Sequence, residues 1–469
     1  MPAVPLPRPA ERVAKGRCRR AGLLGRLTKA VTVAAVAFAT VLPDLAHAFS
    51  LIRDAEIERT VDRLSLPIFR AAGVNADSVP IYLINDSSLN AFVAGGRNMF
   101  FNTGLLSTLE KPEELQGVIA HELGHITGGH LARRQIAIDE AKGPALLGLV
   151  LGVAAAAAGA GGAGLAAGLG LTNATTRNFL RFNRAEEAAA DQAALQYMNR
   201  AGIDPAGLQS VIARFRGQEV LTFGSLDPYT QTHPLTTDRM QLIDNAAQQA
   251  ATREWPRNPE VDYWHARMRA KLQGFLSSPR RTLSSQRKAP GADLPQAEEI
   301  ALYRRTIALH RLPDPPAAVA AADQLIALRP NDAYYHELKG QILFESGQAA
   351  AAVPAFRRAV SLEPRSPLIK TGLGRALLAM RTAAADAEAL QVLESARRDD
   401  GADAAGMRDL AIAYERAGRR DFATLVTAER MALIGRRSEA VRFATQASAL
   451  LAEGTPGWLR AQDILAMKR

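Results

Sequence analysis

The sequence predicts a mostly α chain in two parts, an α+β unit with a short strand sheet and, after it, an α-solenoid. Three observations carry this. Apolar residues recur at helical spacing around a histidine pair near residue 121 and again along an alanine-rich stretch near residue 190. A β-rich run, Asn98-Met-Phe-Phe-Asn102, precedes the first of these helices. From about residue 300 the chain repeats with a period near 34.

Residues 1–48 read as a secretory leader: eight basic residues up to Lys29, an apolar run from Ala30 to Leu42, and Ala46-His47-Ala48 as a small-x-small cleavage site. A mature chain is expected to begin near Phe49. An uncleaved anchor is the alternative, although the apolar run is short of the roughly 20 residues of a spanning helix. Without residues 1–48 the chain has 49 Lys/Arg against 45 Asp/Glu, and the net charge falls from +10 to +4. The basic balance is mostly a targeting feature, so nucleic acid is not an expected partner. Cys18, the single cysteine, lies in the leader and leaves the mature chain without a disulfide.

The run 98–104 reads as a strand, in a hairpin packed on Ile81, Leu83 and Ile84 with Gly95-Gly96 as its turn. Lys111-Pro-Glu-Glu-Leu then supplies a proline and two acids suited to a first helical turn, and Leu115, Val118, Ile119 and Ile126 continue at helical spacing. This helix carries His121-Glu-Leu-Gly-His125. Histidines one turn apart stack about 5–6 Å from each other on one face, so both rings can reach one ion. Neutral imidazole suits Zn2+ at about 2.0–2.1 Å, in a site with three protein ligands and a fourth position for water. Such an ion makes water nucleophilic near neutral pH, and Glu122 is the candidate general base. His121 and His125 are therefore metal candidates for one Zn2+ per chain. An elongated form of the motif needs a histidine at 131, which is Leu131, so His130 reads as a structural or supporting histidine.

Residues 143–176 carry no charge and are crowded with Ala and Gly, and a glycine-rich run within 159–164 interrupts any single helix. A helical hairpin or lid beside the cleft is expected there, with peripheral membrane contact left open. The third ligand is sought in Asn183-Arg-Ala-Glu-Glu187-Ala-Ala-Ala-Asp191, on the second helix. Glu187 and Asp191 lie one turn apart on one face, which suits one carboxylate on the metal and another holding a ligand histidine by its second ring nitrogen. Glu187 is the candidate ligand and Asp191 the candidate histidine partner. Glu186 competes, pointing about 100° away, and an acidic solvated face explains the spacing equally well.

Residues 271–300 read as a hydrophilic linker between a unit at 49–270 and repeats at 301–469. The clearest repeat carries Gly340, Leu343, Gly347, Ala352, Phe356, Ala359 and Pro364; Gly374 follows Gly340 by 34 residues, the tetratricopeptide length. Leu410 to Gly418 with Ala423 shows the same pattern. Stacked helix pairs of this kind present a concave face suited to polypeptide partners.

Four stretches together, Asn90 to Leu106, His121 to His130, Glu187 to Asp191 and Thr232-His233-Pro234 to Arg239, resemble the beta-barrel assembly-enhancing proteases. These are periplasmic relatives of the CAAX-prenyl-protease and HtpX metallopeptidases. The resemblance implies a zincin-type metallopeptidase domain with a short edge-strand sheet, followed by tetratricopeptide repeats. It implies His121, His125 and Glu187 as zinc ligands, Glu122 as base and Asp191 as orienting residue. It gives His233 a regulatory role, as an extra zinc ligand on a plug loop at 227–239; ordering the turn before Pro234 is the other reading. Arg239 is a catalytic candidate, aimed at developing oxyanion charge or else held in a surface ion pair. Asn98, Met99, Phe100, Phe101 and Asn102 would form a substrate edge strand to which extended polypeptide adds. The expected activity is that of a periplasmic endopeptidase with chaperone-like work in outer-membrane protein assembly. Its expected partners are unfolded or misassembled clients and, through the repeats, the outer-membrane assembly machinery. A scaffold with a self-inhibited metal site is the alternative.

Overall fold

A computed structural model describes residues 51–133, 173–216, 233–284, 289–312 and 314–467, with 173–183 as backbone. The leader, 143–172 of the Ala/Gly-rich segment and 227–232 of the plug loop lie outside the described residues. Strand β1 (Leu51–Ile52) leads into α1 (Ala55–Ala72), which Asp54 caps by accepting from the amides of Glu56 and Ile57. Ile57, Val61, Leu64 and Ile68 fall on one face of α1 and are all buried. Gly73, at φ 68°, ends the helix in the left-handed region where a side chain is strained.

Strands β2 (Ile81–Ile84), β3 (Ala91–Ala94) and β4 (Asn98–Asn102) join β1 in a sheet of order β1-β2-β4-β3. β2 runs parallel to β4, and β3 pairs antiparallel with β4. Strand alternation sends Leu83, Phe101 and Ala91 into the core, and stacks Tyr82, Phe100 and Phe92 on the other face at ring separations of 5.2 and 5.0 Å. This order corrects one expectation. Asn98–Asn102 has both edges paired and cannot accept a further strand. The hairpin docks onto β2 through its second strand, which leaves β3 outermost.

After α2 (Thr103–Thr108), helix α3 (Pro112–Thr127) carries the histidine pair. Pro112 sits in its first turn, and Glu114 accepts from the Lys111 amide while also binding Ser210 (2.8 Å) and Arg214 (3.1 Å). α1, α4 (Asn173–Ala201) and α5 (Ala206–Arg216) pack around α3, and every residue from Glu114 to His125 is buried. Two glycines allow the close approach. A Cβ on Gly117 would stand 3.0 Å from Leu208 Cα, and one on Gly124 would stand 2.8 and 2.9 Å from Ala190 O and Cα. Two neighbouring helices thus meet α3 backbone to backbone.

Next come α6 (Thr237–Ala250), α7 (Pro259–Leu276) and α8 (Pro279–Ser284). The segment 271–300 holds the end of α7, all of α8 and the start of α9 (Ala297–Arg311), with Gly274 packed on Ile307. The repeats follow as antiparallel pairs: α9 with α10 (Pro315–Leu328), α11 (Ala333–Glu345) with α12 (Ala349–Leu362), α13 (Pro367–Ala379) with α14 (Ala383–Asp399), α15 (Ala404–Arg416) with α16 (Arg420–Leu433), and α17 (Arg437–Leu450) with α18 (Pro456–Ala466). Gly340 lies under the Phe356 ring and Gly374 under Leu393, where the 34-residue spacing requires small residues.

A buried ionic joint fastens the repeats to the α+β unit. Fully buried Arg267 binds Glu56 at 2.5 Å and Asp332 through two donors, and its guanidinium lies 4.1 Å from the Tyr335 ring centre. Lys271 adds bonds to Asp54 (2.8 Å) and Glu56 (3.1 Å). Each buried charge has its counter-charge, as desolvation demands. Residues from Ser50 onward accordingly form one compact unit, and no helix among the described residues is long and apolar enough to cross a membrane.

Gly124→Ala tests the α3–α4 contact. The added methyl must push the two backbones apart, so thermal unfolding should register a loss of about 1–3 kcal/mol. Metal affinity should fall with it, because ligands come from both helices.

Candidate metal centre

α3 projects His121 and His125 from consecutive turns, with ring centroids 4.8 Å apart. α4 crosses at Gly124 and brings Glu187 over them. His121 Nε2 and His125 Nε2 are 3.2 Å apart, and the Glu187 carboxylate lies 3.3 Å from the first and 3.4 Å from the second. His233, from the stretch before α6, adds Nδ1 at 3.2 Å from His121 Nε2 and 3.1 Å from Glu187 Oε2. These four residues are buried, and their ligand atoms all lie within 4.8 Å of one another.

The separations test whether a metal fits. Four ligands arranged tetrahedrally at about 2.0–2.1 Å from an ion lie about 3.3 Å from each other, which is the geometry of a zinc-type N/O shell. Five of the separations run from 3.1 to 3.4 Å, with Glu187 presenting Oε2 to His121 and His233 and Oε1 to His125, and all four ligand positions stay within 4.8 Å of one another. Two imidazole nitrogens and a carboxylate, all buried and aimed at one point, make a cation-binding donor set.

The outer nitrogens of both ligand histidines are committed elsewhere, which orients the rings. His121 Nδ1 lies 2.9 Å from Asp191 Oδ1, and His125 Nδ1 lies 2.8 Å from His130 Nδ1. Each Nε2 is therefore turned inward. His130 is the supporting histidine its position suggested, and Asp191 partners His121. A Cβ on Gly128 would collide with the His130 ring, so that glycine makes room for the supporting histidine. Glu186, the competitor for the ligand role, is buried but outside the four-residue cluster.

Arg239 corrects a second expectation. It is neither in a surface ion pair nor aimed at open cleft. Its side chain is 1 % exposed and forks onto Asp191, with Nε to Oδ2 at 2.6 Å and Nη2 to Oδ1 at 2.9 Å. Nη1 reaches Glu187 Oε2 at 3.0 Å and donates to the Pro234 carbonyl at 3.0 Å. Arg239 thus positions two carboxylates and ties the His233-Pro234 backbone to them. The surface ion-pair alternative failed because nothing in the sequence marks Arg239 as buried; only the meeting of α6 with α4 does.

Electrostatics follow from burial opposed by these pairings. Desolvation lowers the His121 pKa, but Asp191 and Glu187 outweigh it and raise the ring to about 10. Burial leads at His125 too, and with the neighbouring histidines it holds that ring well below its ordinary value. Burial also penalises the charged Glu187, yet His233, His125 and His121 keep it ionised well below the usual carboxylate range. Asp191 is likewise lowered, against burial, chiefly by Arg239 and His121. The negative potential that favours a proton on His121 favours a dication on the same lone pair, so metal binding releases protons and weakens as pH falls. Glu122 is buried, its Oε1 3.4 Å from His233 Nε2.

Residues 51–247 match the model of peptidase family M48, and 303–367 and 337–392 match the tetratricopeptide repeat. The beta-barrel assembly-enhancing protease of Yersinia pestis is 27% identical over 389 residues, 81% of this chain and 78% of that protein. Its namesake in Escherichia coli K12 is 26% identical over 409 residues, 86% of this chain and 81% of that protein. Metalloprotease YcaL of Escherichia coli is 26% identical over 181 residues, 38% of this chain and 66% of that protein.

Two substitutions separate the ligand from its support. Glu187→Gln should abolish stoichiometric metal binding in metal analysis, whereas Asp191→Asn should retain the ion with affinity reduced about 10–100-fold. Equal losses in both would contradict these roles.

Proposed function

We propose that this chain, a metalloendopeptidase similar to peptidase family M48 over residues 51–247 and joined to tetratricopeptide repeats, works in the periplasm as a zinc enzyme of outer-membrane protein quality control. The observation that carries the reading is the set of 3.1–3.4 Å separations among the inward atoms of His121, His125, Glu187 and His233. Similarity to proteases named for beta-barrel assembly, over most of both chains, supports the client class. The basic, then apolar, then small-x-small run at 1–48 supports export and a domain order of leader, peptidase, connector and repeats.

His121, His125 and Glu187 would hold the zinc ion. Bound there, zinc supplies Lewis acidity that makes water nucleophilic near neutral pH. Glu122 adjoins this point and takes the proton from water, then returns it to the leaving amine. Asp191 and Arg239 hold ligand geometry. Extended polypeptide is placed by main-chain bonding to β3, the sheet's outer strand, which packs on α3 and among the described residues pairs only with β4. The repeats supply client or partner binding, and the joint through Arg267 fixes them relative to the peptidase.

His233 acts as the plug in this reading. Its Nδ1 faces His121 and Glu187 and its Nε2 faces Glu122, so one ring would serve as a further ligand to a bound ion and cover the base. Hydrolysis requires it to leave. The same contact favours a second reading, in which the closed protein serves mainly as a chaperone and cuts seldom.

Glu122→Gln should lower casein cleavage about 10²–10⁴-fold at unchanged metal content. Assembly support that survives this substitution would favour the chaperone reading. His233→Ala should raise cleavage several-fold; an unchanged or lower rate with one metal per chain would remove the plug from the account.

A further inference from the structure

A groove of about 1180 Å3 runs along the start of α3, between the α4–α5 turn, Trp255 and the first turns of α7. It is larger than the roughly 300–1,000 Å3 of a typical small-molecule site, so a polypeptide segment suits it better. Five carboxylates and two cations line it. Two of its acceptors are poorly served. Glu113 is half-buried and accepts from its own backbone amide but from no other side chain among the described residues, and burial with the nearby Asp262 charge raises its pKa against Lys111 and Arg257. His265 is 1 % exposed, and its Nε2 meets no hydrogen-bond partner. Burial and Arg269 keep this ring neutral, with its pKa down at about 3. A buried ring nitrogen left unpaired costs free energy that a hydrogen-bonding ligand would recover.

The groove does not continue the metal centre. Glu113 precedes His121 by eight residues, about 12 Å along the helix axis, and the groove's ligand-type side chains do not gather into a metal cluster among the described residues. A carboxylate-rich wall with an unpaired neutral imidazole offers acceptors and negative potential. The complementary group is a hydrogen-bond-donating cation.

We propose that this groove is an exosite for a basic polypeptide segment, seating a lysine ammonium or arginine guanidinium against Glu113 and Nε2 of His265, beside Asp262, which Arg257 already pairs at 3.0 Å. Trp255, whose ring carries the Arg253 guanidinium at 4.2 Å, lines the groove and would offer apolar surface to the aliphatic stem of such a side chain. As a substrate-selecting device the exosite rests on the endopeptidase reading, because a client anchored here is held beside the cutting site. As a binding site it stands alone.

The test is calorimetric titration of the metal-loaded full chain carrying Glu122→Gln, so that binding is read without cleavage. Blocked trilysine peptide should bind at least tenfold tighter than blocked triglutamine, and added salt should weaken it. Glu113→Gln should reduce trilysine affinity at least tenfold at unchanged metal content. Since Glu113 lies in the first turn of α3, a second readout is kept in the parent protein: the His265 ring resonances should move on adding trilysine. Equal affinity for the two peptides, or unmoved His265 resonances at saturation, overturns the exosite. Binding in the Glu122→Gln background does not depend on hydrolysis, so loss of the endopeptidase reading would leave this result standing.

Discussion

The close crossing of α3 and α4 at Gly124 and Ala190 is the constraint on which the rest depends. Backbone contact there sets Glu187 over the histidine pair at 3.3–3.4 Å and places Asp191 against the outer nitrogen of His121. A Cβ at position 124 would stand 2.8 and 2.9 Å from Ala190 O and Cα, so a larger residue would force the two helices apart. Arg239 then gives the two carboxylates that the crossing has buried a shared counter-charge, beside their contacts with the histidines.

That crossing also explains how one ring can close the centre. His233 reaches His121 and Glu187 with Arg239, three residues into α6, anchored on Asp191 and donating to the Pro234 carbonyl. In the proposed plug reading His233 is held from two sides, by its ring at His121 and Glu187 and by the Pro234 carbonyl at Arg239.

Much of the site could be read from the sequence because its information is local. His121 and His125 are four residues apart, as are Glu187 and Asp191, and helical periodicity converts those spacings into shared faces. The 34-residue recurrence of Gly340 and Gly374 exposed the repeats for the same reason. Arg239, the order of the sheet and the Glu56–Arg267–Asp332 joint were not readable, because each depends on segments that meet only in three dimensions. Glu56 and Arg267 are 211 residues apart in sequence. The strand at 98–102 was correctly placed as a strand, but its edge role turned on which member of the hairpin meets β2. Single-strand patterning carries no information about that.

Anomalous diffraction at the zinc edge, from crystals of the purified full chain, tests the central claim most directly. The account predicts one strong peak per chain, about 2.0–2.2 Å from Nε2 of His121, Nε2 of His125 and the Glu187 carboxylate. Fully loaded crystals with the peak elsewhere, or with Glu187 outside bonding distance of it, would contradict the account.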